Sequence, residues 1–280
     1  MSYHGIWGKA RSKRATHRML EATAACNSSI PCRTRVAVVA IRYREPLEQL
    51  TWLDAVADHA FLINKGDPLQ HEFSPSVSVI AKQNRGRESY SYLDFLHSQA
   101  GQQATSSGGF DVLVFTQANP LDWRTRRWPT SRRLSSWVAA MRGHTAPSPC
   151  FSCFGPVYKL SMGARAHRPN ASAIHALSLD NFVCPEINGH ARAGIRFCPG
   201  ATFAVSRELL HSLSRDQLHD IASKIEGSCA KEYWQADPRI QCHLEFEMER
   251  LWQPFMTGCA NHTIAECQRY DHSAQLNSIG

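Results

Sequence analysis

Val77-Ser78-Val79-Ile80-Ala81-Lys82-Gln83-Asn84-Arg85-Gly86-Arg87-Glu88-Ser89-Tyr90-Ser91-Tyr92-Leu93-Asp94-Phe95-Leu96-His97 changes its periodicity halfway along. The first five residues are short, β-branched and alternating, which predicts a buried or half-buried strand. Gly86 breaks that pattern. Beyond it Tyr92, Leu93 and Leu96 recur at helical spacing and give the next element one apolar face. The polar run from Asn84 to Glu88 therefore sits where a strand hands over to a helix, and in open α/β sheets ligands bind at that carboxyl end. Arg85 and Arg87 can fork onto phosphate or carboxylate, and backbone N–H groups at a helix start favour an anion. Glu88 can orient Arg87 or accept from a ligand hydroxyl. The competing reading of the same residues is a turn at Asn84 and Gly86, a Glu88 that favours the helix dipole, and two solvated arginines.

The same alternation extends outward in both directions. Val36-Ala37-Val38-Val39-Ala40-Ile41 is a continuous apolar run, the pattern of a central strand buried on both faces, and Arg42 follows it. Pro46 opens a predicted helix that carries Leu47, Leu50, Trp52 and Leu53. Ala60-Phe61-Leu62-Ile63 predicts a second strand, closed by the turn residues Asn64-Lys65-Gly66-Asp67-Pro68. Gln99 to Gly109, polar and Gly/Ser-rich, reads as a loop. Phe110 to Phe115 is a fourth strand with Gln117, Asn119 and Pro120 just beyond it. Strands alternating with helices predict a single α/β, Rossmann-like, mostly parallel sheet flanked by helices. Its four polar loops, at Arg42, Asn64, Asn84 and Gln117, would then meet on one edge and form a cleft.

Composition bounds the rest. With 280 residues and 43% apolar composition the chain can bury a sizeable core. Its formal charge of +7 is concentrated in two places, the first 20 residues, which hold no acid, and Asp122 to Arg142, with six arginines against one aspartate. Such a distribution describes a basic arm and a solvated helix face, not a groove that tracks nucleic acid. Ten cysteines and three sequons, at Asn27, Asn170 and Asn261, lean towards a glycoprotein of the secretory lumen. No stretch is apolar and long enough to predict a membrane span.

Further along, Pro129 to Arg142 predicts a helix, capped by Thr130 or Ser131, that buries Leu134, Trp137, Val138 and Met141. Cys150-Phe151-Ser152-Cys153 lacks a second pair at zinc-finger spacing and reads as structural. Cys198 to Val205 predicts a turn feeding a strand. Ser214-Arg215-Asp216-Gln217 is a capping box for a helix that Gly227 stops. Asp237 and Pro238 start a last helix with a core stripe of Ile240, Leu244, Met248 and Leu251. His243, Glu247 and Arg250 share another face at spacings of four and three, and Glu245 lies one turn before Glu249; these carboxylates are candidates for a general base or metal ligand, although such a row is more commonly a solvated face.

Asn84-x-Gly-Arg-Glu-x-x-x-Tyr-Leu93, Phe115-x-Gln117 with Pro120, Pro199-Gly-Ala-x-Phe-Ala-Val-Ser206 and Glu249-Arg-x-Trp252, with Tyr43 to Trp52 and Asn64-Lys-Gly66, resemble the spaced motifs of a fungal and algal domain-of-unknown-function family over roughly residues 35–256. More loosely, the Asn-x-Gly-Arg-acidic loop before a helix resembles nucleotide-sugar glycosyltransferases with the A-type fold. Residues 1–34 read from composition as a disordered basic arm, and the likeness implies a glycosyltransferase-like domain at 35–256, which leaves a tail at 257–280. Donor or phosphate binding would fall to Arg42, Asn64, Lys65, Asn84, Gly86, Arg87, Glu88 and Gln117. Glu249 or Glu245 would be the base, and Gly200, Ser206 and Arg250 would border the acceptor. Mn²⁺ or Mg²⁺ would sit at Asn119, where the family pattern has an acid and this chain has a neutral amide, a poor ligand for either cation, with Asp122 close by as the substitute. The expected partners are a nucleotide-sugar and a glycan or other hydroxyl acceptor. The alternative is a catalytically inactive glycan- or nucleotide-binding module of the same fold.

Overall fold

The computed structural model describes residues 33–85, 87–119, 131–143, 145, 148–154, 158–160, 175–177, 179, 195–228, 243–257 and 264–267. Outside the described residues lie 1–32 of the arm, Gly86, Asp122, Thr130, Asp237, Pro238, Ile240 and the three sequon asparagines. The side chains of Ser131 and Arg250 lie outside them too.

Eight strands are described: β1 Val36–Arg42, β2 His59–Asn64, β3 Val77–Ala81, β4 Val112–Gln117, β5 Phe151–Cys153, β6 Tyr158–Leu160, β7 Ile195–Phe197 and β8 Phe203–Ser206. Between and after them run α1 Leu53–Val56, α2 Glu88–His97, α3 Gln99–Thr105, α4 Ser131–Gly143, α5 Arg207–His211, α6 Arg215–Ser228 and α7 His243–Thr257. Six strands form one sheet in the order β3-β2-β1-β4-β8-β5, and β6 pairs with β7 in a separate ribbon. β1 to β4 are mutually parallel, while β8 runs antiparallel to both neighbours. The result is a mostly parallel, Rossmann-like α/β sheet.

β1 occupies the middle because all seven of its residues can be buried. Alternate side chains serve opposite faces. Ala37, Val39 and Ile41 pack with Tyr92, Leu93, Ile225, Met248 and Trp252, whereas Val36, Val38 and Ala40 pack with Leu50, Leu53, Leu134, Trp137 and Val138. Each helix therefore contributes one apolar stripe to one of two cores. On the first face Phe203 stacks within 5.1 Å of Phe115, 5.4 Å of Phe151 and 5.2 Å of Trp252. That aromatic contact holds the reversed strand in register beside β4.

Several expectations meet a different local outcome. The Pro46 helix is broken into a 3-10 turn, Leu47–Gln49, and the single turn of α1. Gln99 to Thr105 is helical, not a loop. Ser98 caps it by accepting from the Gly101 N–H, and Ala104 is buried beneath. β4 begins two residues later than the apolar run, because Asp111 leaves the ladder to accept from the backbone N–H of Arg35. The Ser214/Gln217 capping box forms reciprocally, yet α6 continues through Gly227 to Ser228. The carboxylate row of α7 is not a solvated face: Glu245 and Glu247 are buried.

Cys150 and Cys153, adjacent on the sheet edge, pair away from one another. Cys150 bonds to Cys267 and Cys153 to Cys198, with Cα atoms 4.9 and 5.0 Å apart. The first bond draws the segment read as a tail back onto the domain, where Ala265 bridges Cys150 and accepts from the Phe151 N–H. The second anchors the turn before β8. Among the described residues no helix is long and apolar enough to cross a membrane.

Candidate functional site

Strand order reverses between β1 and β4: the chain steps outward from β1 to β3, then returns to β1's other side. In an open α/β sheet the carboxyl ends at such a reversal splay apart and leave a crevice. Arg42, Asn64, the segment after Ala81 and Gln117 all stand at that edge, in register with one another.

Two of these residues serve the loops themselves. Arg42 donates from Nε to the Glu45 carbonyl at 2.8 Å and from Nη1 to Asn64 Oδ1 at 2.7 Å and the Asp67 carbonyl at 3.1 Å. Asn64 Nδ2 donates to the same Asp67 carbonyl. This clamp folds the β2 loop so tightly that a Cβ on Gly66 would lie 1.7 Å from the Tyr43 carbonyl oxygen. Lys65 is likewise turned inward. Its Nζ donates to the carbonyls of Arg85 and Arg87 and to Ser91 Oγ, at 2.5, 3.3 and 3.1 Å, and lies 5.0 Å from the Tyr43 ring centroid. Desolvation brings its pKa down to about 8, opposed by Glu245 and Glu88. An ammonium has three N–H donors, and three acceptors of this chain meet them.

Arg87, Glu88 and Gln117 form the centre. Gln117 Nε2 donates to Glu88 Oε1 at 2.8 Å, and Arg87 Nε lies 3.5 Å from Glu88 Oε2. Glu88 thus joins the start of α2 to the end of β4. Arg85 points outward instead, paired with Glu226 of α6 at 2.6 Å with its side chain 54% exposed. The reading of two solvated arginines therefore holds for Arg85 and fails for Arg87, whose side chain is only 21% exposed. Asn84 differs from all of them: it is buried, and among the described residues neither Oδ1 nor Nδ2 has a hydrogen-bond partner. An unbonded buried amide atom costs about 1–3 kcal/mol.

α7 closes the site from the other side. Glu245 accepts from the backbone N–H groups of Ser89 at 2.5 Å and Tyr90 at 3.1 Å, so a carboxylate of this chain occupies the amino end of α2. The N–H groups expected to face an anionic ligand are consequently satisfied from within. Burial, and then Glu88, push the Glu245 carboxyl up to about 7, against the pull of those two N–H groups and of Lys65. Burial first and the same two carboxylates second hold the phenols of Tyr43 and Tyr92 well above their ordinary range. One turn later Glu249 Oε1 accepts from the Gly200 N–H at 2.9 Å. Gly200 and Ala201 adopt φ of 69° and 48°, which turns that N–H towards α7.

The remaining expected residues scatter. Ser206 pairs with Val112 at the opposite, amino-terminal edge of β4, and its Oγ accepts from the Cys150 N–H. It is a strand residue, not part of the acceptor side. Gly86, Asp122 and the Arg250 side chain lie outside the described residues. Asn119 Nδ2 donates to Gln49 Oε1 at 2.6 Å. The described oxygen ligands at the end of β4 are thus those of two neutral amides, a set poorly suited to Mg²⁺ or Mn²⁺, which favour carboxylate oxygen. Among the described residues no group of three His, Cys, Asp or Glu is arranged to hold a metal ion. Missed from sequence were Ser89, which accepts from Trp252 Nε1 at 3.1 Å, and Ser91. The available signal was two serines interleaved with the apolar positions of α2.

Comparison with protein-family models and with curated proteins finds no match to this chain.

Proposed function

We propose that this chain is a glycosyltransferase-like protein that binds a nucleotide-sugar donor at the carboxyl ends of β1 to β4 and transfers the sugar to a hydroxyl acceptor. The observation that carries this reading is the meeting of Arg87, Glu88 and Gln117 where the strand order reverses. Arg87 would neutralise charge on the departing nucleotide diphosphate, with its guanidinium plane set by Glu88. Asn84 would offer a side-by-side donor and acceptor to a base edge. Glu245 is spent on the α2 terminus, so the base role falls to Glu249, held by the Gly200 N–H and able to take the acceptor's proton. No step is assigned to a metal. Two disulfides suit a secretory lumen.

The inactive module remains the second reading, favoured by one observation: Asn119, where an acid is expected, has its amide turned to Gln49. Calorimetric titration of the full chain with UDP and with GDP, each with and without Mn²⁺, tests the donor site. Binding that weakens at least tenfold in a folded Arg87→Ala variant supports it. No binding of either nucleotide by folded wild type overturns it. Release of nucleotide from a sugar donor, abolished by Glu249→Gln, separates enzyme from module.

A further inference from the structure

We infer that Thr202 is a positioning residue for Glu249: its hydroxyl fixes the turn whose Gly200 N–H holds that carboxylate at the carboxyl edge of the sheet. The inference rests on the base role proposed above for Glu249. Pro199-Gly200-Ala201-Thr202 leads into β8, which runs antiparallel to β4, so the turn lies beside the carboxyl end of β4 with Thr202 Oγ1 3.5 Å from Thr116 Oγ1. Its backbone is unusual. Gly200 has φ of 69°, which glycine adopts without steric cost, but Ala201 follows at 48°, the one positive φ among the described residues that are not glycine. A Cβ disfavours that conformation, and a residue held in it marks a place where the surroundings impose the shape.

Those surroundings are identifiable. Cys198, at the start of the turn, is bonded to Cys153 of β5, and its carbonyl accepts from the Ala201 N–H at 3.1 Å. The Ala201 methyl is buried in the first core. At the far end the Thr202 carbonyl accepts from the Phe154 N–H at 3.0 Å. Gly200, between these anchors, has no side chain with which to hold its own conformation. Two other side chains hold it: Thr202 Oγ1 donates to its carbonyl at 3.2 Å, and Glu249 Oε1 accepts from its N–H at 2.9 Å. Thr202 is 5% exposed, so little water competes for its hydroxyl.

The consequence falls on the carboxylate. The Tyr92 phenol, raised first by its burial, is raised further by Glu88, Glu245 and Glu249, so Glu249 stands within electrostatic reach of the same group as the central Glu88. A carboxylate has about four lone-pair positions, and accepting from Gly200 orients Glu249 without exhausting its capacity to take a proton. Misplacing a reacting group by about 1 Å costs about a hundredfold in rate, and the freedom of an untied glycine turn is a fraction of that distance.

The test uses the full chain and three variants. Thr202→Val keeps the shape and removes the donor; Thr202→Ala, which cannot crowd Thr116, is the second such variant; Thr202→Ser keeps the hydroxyl. In Thr202→Val and Thr202→Ala, nucleotide release from UDP-hexose and GDP-hexose donors is expected to fall about tenfold and the Gly200 amide to exchange its hydrogen about tenfold faster. Calorimetric affinity for UDP and GDP is expected to stay within about twofold of wild type. Thr202→Ser is expected to match wild type in all three measurements. Unchanged release in folded Thr202→Val and Thr202→Ala, release and nucleotide affinity falling together, or a Thr202→Ser variant as slow as Thr202→Val would each overturn the positioning role alone. Wild-type exchange at Gly200 in both hydroxyl-free variants would overturn the hold of Thr202 on the turn, whatever the turnover. A wild type that binds nucleotide and releases none from either donor would overturn the base role of Glu249 and this inference together.

Discussion

Replacing Glu245 with glutamine should make the pH dependence of stability visible as a difference between two proteins. Its carboxyl is pushed from an ordinary 4.5 to about 7 by burial and by Glu88, while the unfolded chain titrates at the ordinary value. Between pH 4.5 and 7 the folded protein therefore holds a proton that the unfolded chain has released, and stability falls as pH rises through that window. At about 1.4 kcal/mol per pH unit the whole window amounts to about 3 kcal/mol. Glutamine keeps the shape of the uncharged acid and does not titrate. Below pH 4.5 the variant loses only the bond from the Tyr90 N–H, about 1 kcal/mol, and is slightly the less stable. By pH 8 the order should invert, with the variant more stable by about 2 kcal/mol. Urea denaturation of both proteins at pH 4.5, 5.5, 6.5 and 8 measures the difference, in which titrating groups that do not face Glu245 cancel, while Lys65, which its charge supports, contributes at the alkaline end. A difference that stays constant, or that grows in favour of wild type as pH rises, would refute the reasoning. Glu245→Ala is the companion control, since it leaves two N–H groups of α2 unbonded and should cost about 2–6 kcal/mol.

Three further outcomes follow from particular contacts. Gly66→Ala would place a Cβ 1.7 Å from the Tyr43 carbonyl oxygen and force the Arg42 clamp open; it should cost about 3 kcal/mol or more and lower the thermal midpoint by about 10 °C. Asn84→Ala removes a buried amide with no partner, so the free protein should be as stable as wild type or up to about 2 kcal/mol more so, while calorimetric UDP affinity falls; a clear loss of stability would mean that Asn84 is structural. The Cys150→Ala/Cys267→Ala pair opens a bridge between residues 117 apart, worth up to about 5 kcal/mol in loop-closure entropy, and an unchanged urea midpoint would contradict that.

The parallel half of the fold was legible because its signals are local. Val36 to Ile41 can only be a strand buried on both faces, and the change of period after Gly86 marks a strand feeding a helix whatever lies around it. Those patterns placed Arg42, Asn64, Asn84 and Gln117 on one edge before any contact was known. They could not say whether each side chain faced a ligand or its own loop. Arg42 and Lys65 look identical in sequence to phosphate-binding cations, and only the folded β2 loop, with Tyr43 and Asp67 against it, turns them inward. Gln99 to Thr105 read as a loop because Gly101 is a poor helix former, while packing of its bare Cα against the Phe95 backbone favours the helix.

The amino-acid sequence by itself determined the alternation of strands and helices, the two faces of the central strand and the edge on which polar residues gather, since each depends on periodicity within a few residues. Tertiary structure alone decided that Glu245 caps a helix 155 residues earlier, that Gln117 and Arg87 share Glu88, and that Ser206 stands at the far edge. A carboxylate's role depends on which donors surround it and on how much water is excluded there, and both are properties of the packed chain that no local pattern encodes.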